Sequence, residues 1–288
     1  MHTRDQILGC ILGGAIGDAH GAAVEGLPPG STTSSLYLTD DTQLTLATCE
    51  SLTHCRKVDP AHIAATMLAW HRKRRLTGLG ASTLKALQDL DAGGHWALSG
   101  RKGDQAAGNG AAIRIAPLSF LVDPQTDDCW RIFRDVSRIT HYHDEACAGA
   151  YAIVHAIHEA QKGELHLGHI AAKLPDTSVK DRLLAYAEQD PGFTLLQAAS
   201  QFGSSGYVVE SVPLALFAAS KVTQLGFVEM VKQVIYLGGD TDSNASMAGQ
   251  VAGVLLVKSG LPQSMINALP ELDHTLQIAN EFADSVLT

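Results

Sequence analysis

The stretch ILGCILGGAIGDAHG, residues 7–21, decides the reading of the fold. Gly9, Gly13, Gly17 and Gly21 recur every four residues, so a helix would line them up along one slowly drifting face. Glycine weakens a helix interior by roughly 0.5–1 kcal/mol relative to alanine, and four in one row therefore call for a packing reason. The expected reason is a neighbouring helix whose backbone lies against the row. The segment Asp242 to Lys258 carries a matching set of small residues, Ala245, Ala248, Gly249, Ala252 and Gly253, and is the expected neighbour. Both helices would then be central, although they come from opposite ends of the chain.

Outward from this segment, apolar residues at i, i+3, i+4 and i+7 recur along the whole chain, while the alternation of a half-buried strand is scarce. Thr3 and Gln6 form a capping box before a helix running through about Gly21. Pro60 opens another that runs to about Arg75. Further helices are expected near 39–54, 81–92, 109–121, 127–138, 143–162, 166–173, 178–188, 194–202, 207–220, 226–236, 242–259 and 272–286, many of them rich in helix-favouring alanine. Gly26 to Ser35 is the one stretch dense in helix breakers. No repeat or long linker divides the chain. A boundary near 163 or 190 is conceivable, but one domain over 1–288 is favoured, and the expected fold is all-α, a compact single-domain orthogonal helical bundle.

The chain has 288 residues, 45% of them hydrophobic, enough for one large core or two modest ones. Its formal charge is −9, and the one dense basic run is His71-Arg72-Lys73-Arg74-Arg75. That run reads as a solvated helix end, where cations suit the macrodipole, and the balance argues against nucleic-acid binding. The start Met1-His2-Thr3-Arg4-Asp5 lacks the pattern of a secretory signal, and no apolar stretch reaches the length of a membrane span. Five cysteines without C-x-x-C spacing are expected to be reduced, in a cytoplasmic protein.

Two acidic clusters precede helical patterns: Thr39-Asp40-Asp41-Thr42, and Gly239-Asp240-Thr241-Asp242-Ser243. Capping is the plain reading of each, since Asp, Ser and Thr are preferred N-caps and carboxylates suit the positive end of a helix. A cap needs one oxygen, however, and each cluster supplies two carboxylates flanked by hydroxyls. Such oxygen-only sets suit hard cations, Mg2+ or Mn2+. If the clusters converge, repulsion would amount to about 4 kcal/mol per carboxylate pair at 4 Å and an effective dielectric of 20. Two divalent cations would offset it and supply a hydrolytic water.

Several segments, taken together, resemble the ADP-ribosylglycohydrolase family, which includes dinitrogenase-reductase-activating glycohydrolases and animal ADP-ribosylarginine hydrolases. Ile11 to Glu25 is similar to the family's opening G-x-x-x-G-D-A-x-G-x-x-x-E segment. Thr39 to Thr42, Gly108-Asn109-Gly110 with Arg114 and Pro117, Thr140-His141, and Gly238 to Asp242 follow in family order. The resemblance covers residues 7 to 257. It implies that Thr39, Asp40, Asp41, Asp240, Asp242 and Ser243 ligate two divalent cations, with Glu25, Asp41 and Asp240 as the catalytic set and Glu25 closing over the site. It implies that Gly108, Asn109 and Gly110 cradle a pyrophosphate and that His141 contacts the ADP-ribose. Gly206 and Tyr207, in a Gly-Tyr-Val-Val run similar to the arginine-specific branch, would face the nucleotide.

Ile113 stands where the family usually has Met, and Ser243 where Thr is frequent. The resemblance further leaves Asp18 a structural hydrogen bond within the first helix and gives Asp104 a possible reach to the leaving group. His141 and His143 form an H-x-H without a third zinc ligand suggested by spacing. The implied activity is hydrolysis of ADP-ribose from an acceptor, arginine on a protein first, with ADP-ribose as product. Alternatives are an O-linked serine or acetyl conjugate, a small ADP-ribosylated guanidine, a non-catalytic protein that binds ADP-ribose or serves structurally, and a phosphohydrolase releasing AMP; in each case a monomer is expected.

Overall fold

Helix α1 (Arg4–Ala22) begins at Thr3, whose side chain and that of Gln6 complete a reciprocal capping box. It is buried along nearly its whole length, so it carries no polar face. The reason lies across from it, in the C-terminal part of the chain. The other helices that build the site are α2 (Asp40–Cys55), α3 (Asp144–Ala160), α4 (Val208–Ser220) and α5 (Thr241–Gly260).

Helices α1 and α5 run antiparallel in backbone contact. A methyl added at Gly9 would lie 2.1 Å from the Gly253 carbonyl oxygen, at Gly13 2.2 Å from that of Gly249, at Gly17 2.0 Å from that of Ala245, and at Gly21 2.4 Å from that of Thr241. No Cβ fits at such distances, so the glycine row of α1 and the small residues of α5 form one seam, as the sequence predicts. Helices α3 and α4 pack on α5 and on each other. Gly149 of α3 leaves room for Val208 of α4, whose Cγ2 lies 2.3 Å from where a methyl would be.

The computed structural model describes residues 2–28, 31, 35–126 and 128–288, and no strand forms among them. The expected helix start at Asp127 and residues 29, 30 and 32–34 of the Gly26–Ser35 stretch lie outside the described residues. One cluster of buried apolar side chains runs from Ile7 to Ala283. The five cysteines are unpaired, and all but Cys55 are buried. No helix is long and apolar enough to cross a membrane.

One expected helix, 109–121, is broken in two: an α-turn at Gly110–Ile113 and a 3-10 turn at Ala116–Phe120. Pro117 is the cause, because it has no N–H for the carbonyl four residues earlier. That carbonyl, Ile113 O, instead accepts from Gln250 Nε2 at 2.7 Å and Thr45 Oγ1 at 3.3 Å, tying the turn to α5 and α2. Short helices at Trp96–Ser99, Val222–Leu225 and Gln263–Asn267 escape periodicity, since one turn shows too little of a repeat to read. The basic run ends the helix Pro60–Arg72. There Arg72 pairs with Asp91 and Arg75 stacks over Trp70.

Candidate active site

Helices α2 and α5 both begin at the C-terminal end of α1, and their acidic starts face one another there. Thr39 is the N-cap of α2, its hydroxyl accepting from the Asp41 N–H at 3.3 Å. Asp240 occupies the N-cap position of α5 without a cap bond from its side chain, and is reached through Gly238 and Gly239, both at positive φ. The turn is held by the Asp240 N–H and by Asn244 Nδ2, which both donate to Ser204 O, at 3.0 and 2.8 Å. A side chain at Gly239 would strike that same carbonyl at 2.4 Å.

Asp18 lies between the two starts and is fully buried. Its hydrogen bonds do not stay within α1, as the sequence suggests. It accepts from the Thr39 N–H at 3.1 Å, from Thr39 Oγ1 at 2.8 Å and from the Thr42 N–H at 3.1 Å, so α1 caps α2. This bond set fixes α2 relative to the α1–α5 seam. No local sequence pattern marks it, because donors and acceptor are more than 20 residues apart.

The carboxylates converge in two overlapping groups: Asp18, Asp41 and Asp242, and Glu25, Asp240 and Asp242. In each group one oxygen per residue lies within 4.8 Å of the others. Asp41 and Asp242 are only 6% and 8% exposed. Burial, reinforced by the neighbouring carboxylates, drives Asp41 far above the usual carboxylate range. Burial and the adjacent Asp240 push Asp242 up to about 9. Burial, then Asp18, pushes Asp40 up to about 7. Burial also raises Glu25, with Asp240 and Asp18 adding to it. The positive ends of α2 and α5 favour anions by roughly 0.3–2 kcal/mol, which falls short of several repulsions of about 4 kcal/mol each.

The donor set fits hard divalent cations. Every atom in it is oxygen, and Asp41 Oδ2 is buried without a hydrogen-bond partner, an acceptor left for a cation. Glu25, Thr39, Asp40, Asp41, Asp240, Asp242 and Ser243 line the same cavity of about 630 Å3. Ser243 donates its N–H to Asp242 Oδ1 at 2.7 Å.

In the same cavity Gly108 and Gly110 flank the ring of His141. A methyl at Gly108 would sit 3.2 Å from His141 Nε2, and one at Gly110 2.9 Å from Cε1. Asn109 Nδ2 donates to Asp240 Oδ2 at 2.8 Å, joining these residues to the acidic wall. The Asn109 N–H donates to Gly206 O, and the Val208 N–H to Ala107 O, which brings Gly206 into the cavity wall. A side chain at Gly206 would meet Asp240 Oδ2 at 2.7 Å.

The protonation of His141 follows from its neighbours. Burial, with Arg114 and Arg101 adding to it, lowers it to about 3, so the ring is neutral. Arg114, fully buried, donates through Nη2 to Thr140 Oγ1 at 2.8 Å. Thr140 Oγ1 lies 2.8 Å from His141 Nδ1. The hydroxyl accepts from the guanidinium with one of its two lone pairs, and we assign its own O–H as the donor to Nδ1. The ring proton therefore resides on Nε2, a donor facing the Gly108–Gly110 notch.

Two expected residues lie elsewhere. Tyr207 is 43% exposed at the start of α4 and does not line the cavity, where Ser205 and Gly206 do. Asp104 is exposed in a short 3-10 turn, also off the cavity. Two lining residues have no sequence signal: Arg101, the one Lys or Arg among those lining the cavity, and Tyr37, whose hydroxyl donates to Ala22 O. Arg101 is placed by a parallel bridge to His141.

The ADP-ribosylglycohydrolase family model matches residues 1–287. The chain is 28% identical to ADP-ribosylarginine hydrolase Tri1 of Pseudomonas putida (strain GB-1), over 97% of this chain and 78% of that protein. It is 27% identical to ADP-ribosylhydrolase ARH3 of Mus musculus, over 89% and 85%. A solved structure titled ADP-ribosylglycohydrolase-related protein complex superposes with a TM-score of 0.71 at 27% identity, covering 98% of both chains.

Proposed function

Since this chain belongs to the ADP-ribosylglycohydrolase family, we propose that it is a two-metal-dependent hydrolase cleaving the N-glycosidic bond between ADP-ribose and arginine, on a protein or in a small conjugate, with release of ADP-ribose. Hydrolysis of ADP-ribosyl conjugates is supported at the level of the family. The arginine acceptor is the finer reading, supported by the likeness to an ADP-ribosylarginine hydrolase and by an acidic cavity suited to a guanidinium.

The observation that carries the reading is the convergence of the α2 and α5 carboxylates with Asp18 and Glu25, in the cavity that the Gly108–His141–Gly110 notch also lines. Thr39, Asp40, Asp41, Asp240, Asp242 and Ser243 would hold two divalent cations, Mg2+ or Mn2+. Such ions, when bound, neutralise the carboxylates and act as Lewis acids toward substrate oxygens and water.

The remaining work falls to the chain itself. His141 Nε2–H, the backbone at Gly108 to Gly110 and the cation of Arg101 would bind the diphosphate, whose oxygens accept hydrogen bonds only. Asn109 stays fixed on Asp240 and so couples diphosphate position to the acidic wall. Departure of the acceptor leaves an oxocarbenium-like ribose. Glu25, raised by burial and by Asp240 and Asp18, holds a proton more readily than a free carboxylate and would pass it to the leaving nitrogen.

Incubating ADP-ribosyl-arginine with the protein and Mg2+ or Mn2+, with chromatographic detection, tests this. ADP-ribose should appear, and chelator should stop it. Release of AMP would instead identify a phosphohydrolase, and no release with tight ADP-ribose binding would identify a binding protein. The likeness to ADP-ribosylhydrolase ARH3 keeps an O-linked conjugate as the second reading.

A further inference from the structure

At the far end of α3 from His141, roughly 20 Å along the helix at 1.5 Å per residue, a second group of metal-ligating side chains comes together. It consists of Glu159 in the last turn of α3, Glu164 in the turn that follows, and His166 and His169 at the start of the helix Leu167–Lys173. We propose that Glu159, His166 and His169 form a peripheral site for a divalent transition metal of the zinc class, with Glu164 beside it. This site is separate from the hydrolytic cavity and does not rest on the function proposed above.

Three observations carry it. His166 Nδ1 lies 3.8 Å from Glu159 Oε2, His169 Nδ1 lies 3.9 Å from Glu159 Oε1, and Glu164 Oε2 lies 4.0 Å from His166 Nδ1. Ligands 2.0–2.2 Å from a tetrahedral zinc are about 3.4 Å from one another, so the His–Glu pairs need to close by about half an ångström, and all three ligand atoms already lie within 4.8 Å of one another. The Glu159 carboxylate is also held in place, since Oε2 accepts the His166 backbone N–H at 2.7 Å and its side chain is only 20% exposed. The two imidazoles stand together, ring centres 4.8 Å apart, and remain accessible to an incoming ion.

The donor chemistry separates this site from the catalytic one. Two imidazole nitrogens with carboxylate suit zinc, copper or nickel, whereas an all-oxygen cluster suits Mg2+ and Mn2+. Two carboxylates and one dication leave the site electrically neutral, and the bound ion would tie α3, the turn at Gly163 and the next helix together. The alternative for the same side chains is a pair of plain His–Glu contacts with no ion.

The test uses the full-length, tag-free protein in excess Mg2+, compared with Asp242→Asn and with the double variant His166→Gln/His169→Gln. Wild type and Asp242→Asn should each take up one zinc that the double variant does not. Co2+ should give the intense visible absorption of a four-coordinate nitrogen–oxygen site in the first two proteins only. Zinc should raise the melting temperature progressively with its free concentration in those two and leave the double variant unmoved. In wild type, the Nδ1 resonances of two histidines should shift on adding zinc, which needs no variant. Zinc uptake equal in the double variant, uptake lost only in Asp242→Asn, or no histidine shift would each overturn the proposal.

Discussion

Thr140 stands between a permanent cation and a neutral ring, and its single hydroxyl decides which His141 nitrogen carries the proton. Thr140→Val keeps the shape and removes the relay from Arg114. His141 can then place its proton on either nitrogen, and Arg114 loses an acceptor in a buried setting. ADP-ribose binding should weaken roughly tenfold, the equivalent of about 1.4 kcal/mol or one hydrogen bond. The turnover number should change little, since the ring serves binding. Calorimetric titration with ADP-ribose checks this, and unchanged affinity would show that the tautomer does not matter. Asp242 gives a second prediction, about pH. Its folded-state value is about 9 and that of Asp40 about 7, both above the ~3.9 of an unfolded aspartate. The folded state therefore binds protons that the unfolded state releases, so the stability tied to these groups is complete below about pH 4 and is lost as pH rises through about 7 and then 9. In chelator, Asp242→Asn should be more stable than wild type above neutral pH, by on the order of a few kcal/mol, with the gap closing toward pH ~4. Denaturant melts across that range measure it. Added Mg2+ or Mn2+ should reverse the order, because only wild type retains the full ligand set.

The α1–α5 seam links the fold to the site, because Asp18 rides on one helix and Asp242 on the other. Gly13→Ala would ordinarily favour a helix by up to about 1 kcal/mol. Here the added methyl would lie 2.2 Å from Gly249 O, and the helices must separate. Overpacking of this kind costs about 1–3 kcal/mol or more, so a net loss of about 2 kcal/mol is expected, together with reduced metal affinity. Gly14→Ala, which meets the Gln250 side chain rather than backbone, should cost less. Equal stability of both variants with wild type would disprove the close seam. This seam was legible in the sequence because small residues at a fixed interval are a local pattern, and the acidic helix starts were legible because capping and metal chemistry use the same short motifs. What stayed hidden depends on distant contacts. Asp18 caps α2 through space, and Arg101 reaches the cavity through its bridge to His141; the break at Pro117 has a local cause, and only the donors that satisfy the freed Ile113 carbonyl, Gln250 and Thr45, are distant. The Glu159–His166–His169 group straddles a turn, so neither a helix period nor a compact motif marks it.

At the scale of the whole molecule the question is which acceptor is released, and the charge distribution gives the answer to test. The chain is net −9, and carboxylates line the cavity. The Gly-Tyr-Val-Val run, which resembles that of the arginine-specific branch, contributes only Gly206 to that cavity; Tyr207 is exposed outside it, and Val208 and Val209 are buried in the core. We propose that acceptor choice rests on the overall negative charge and on the Glu25 carboxylate, which stands outside the six residues that would hold the cations, and not on that run. A guanidinium conjugate brings a cation toward this field, and a serine conjugate does not. Steering of this kind raises encounter rates and is screened by salt, with a Debye length of about 8 Å at physiological ionic strength. Three outcomes follow for matched arginine- and serine-modified peptides at equal enzyme and metal. The arginine peptide should be cleared faster, its kcat/KM should fall as salt is added while that of the serine peptide stays nearly level, and Glu25→Gln should slow the arginine peptide by about tenfold or more. Clearance of the serine peptide first, by a factor of about ten, would overturn the arginine assignment. Equal salt slopes with arginine still preferred would locate the preference in cavity shape instead of charge, because a contact that excludes one acceptor by size has no dependence on ionic strength.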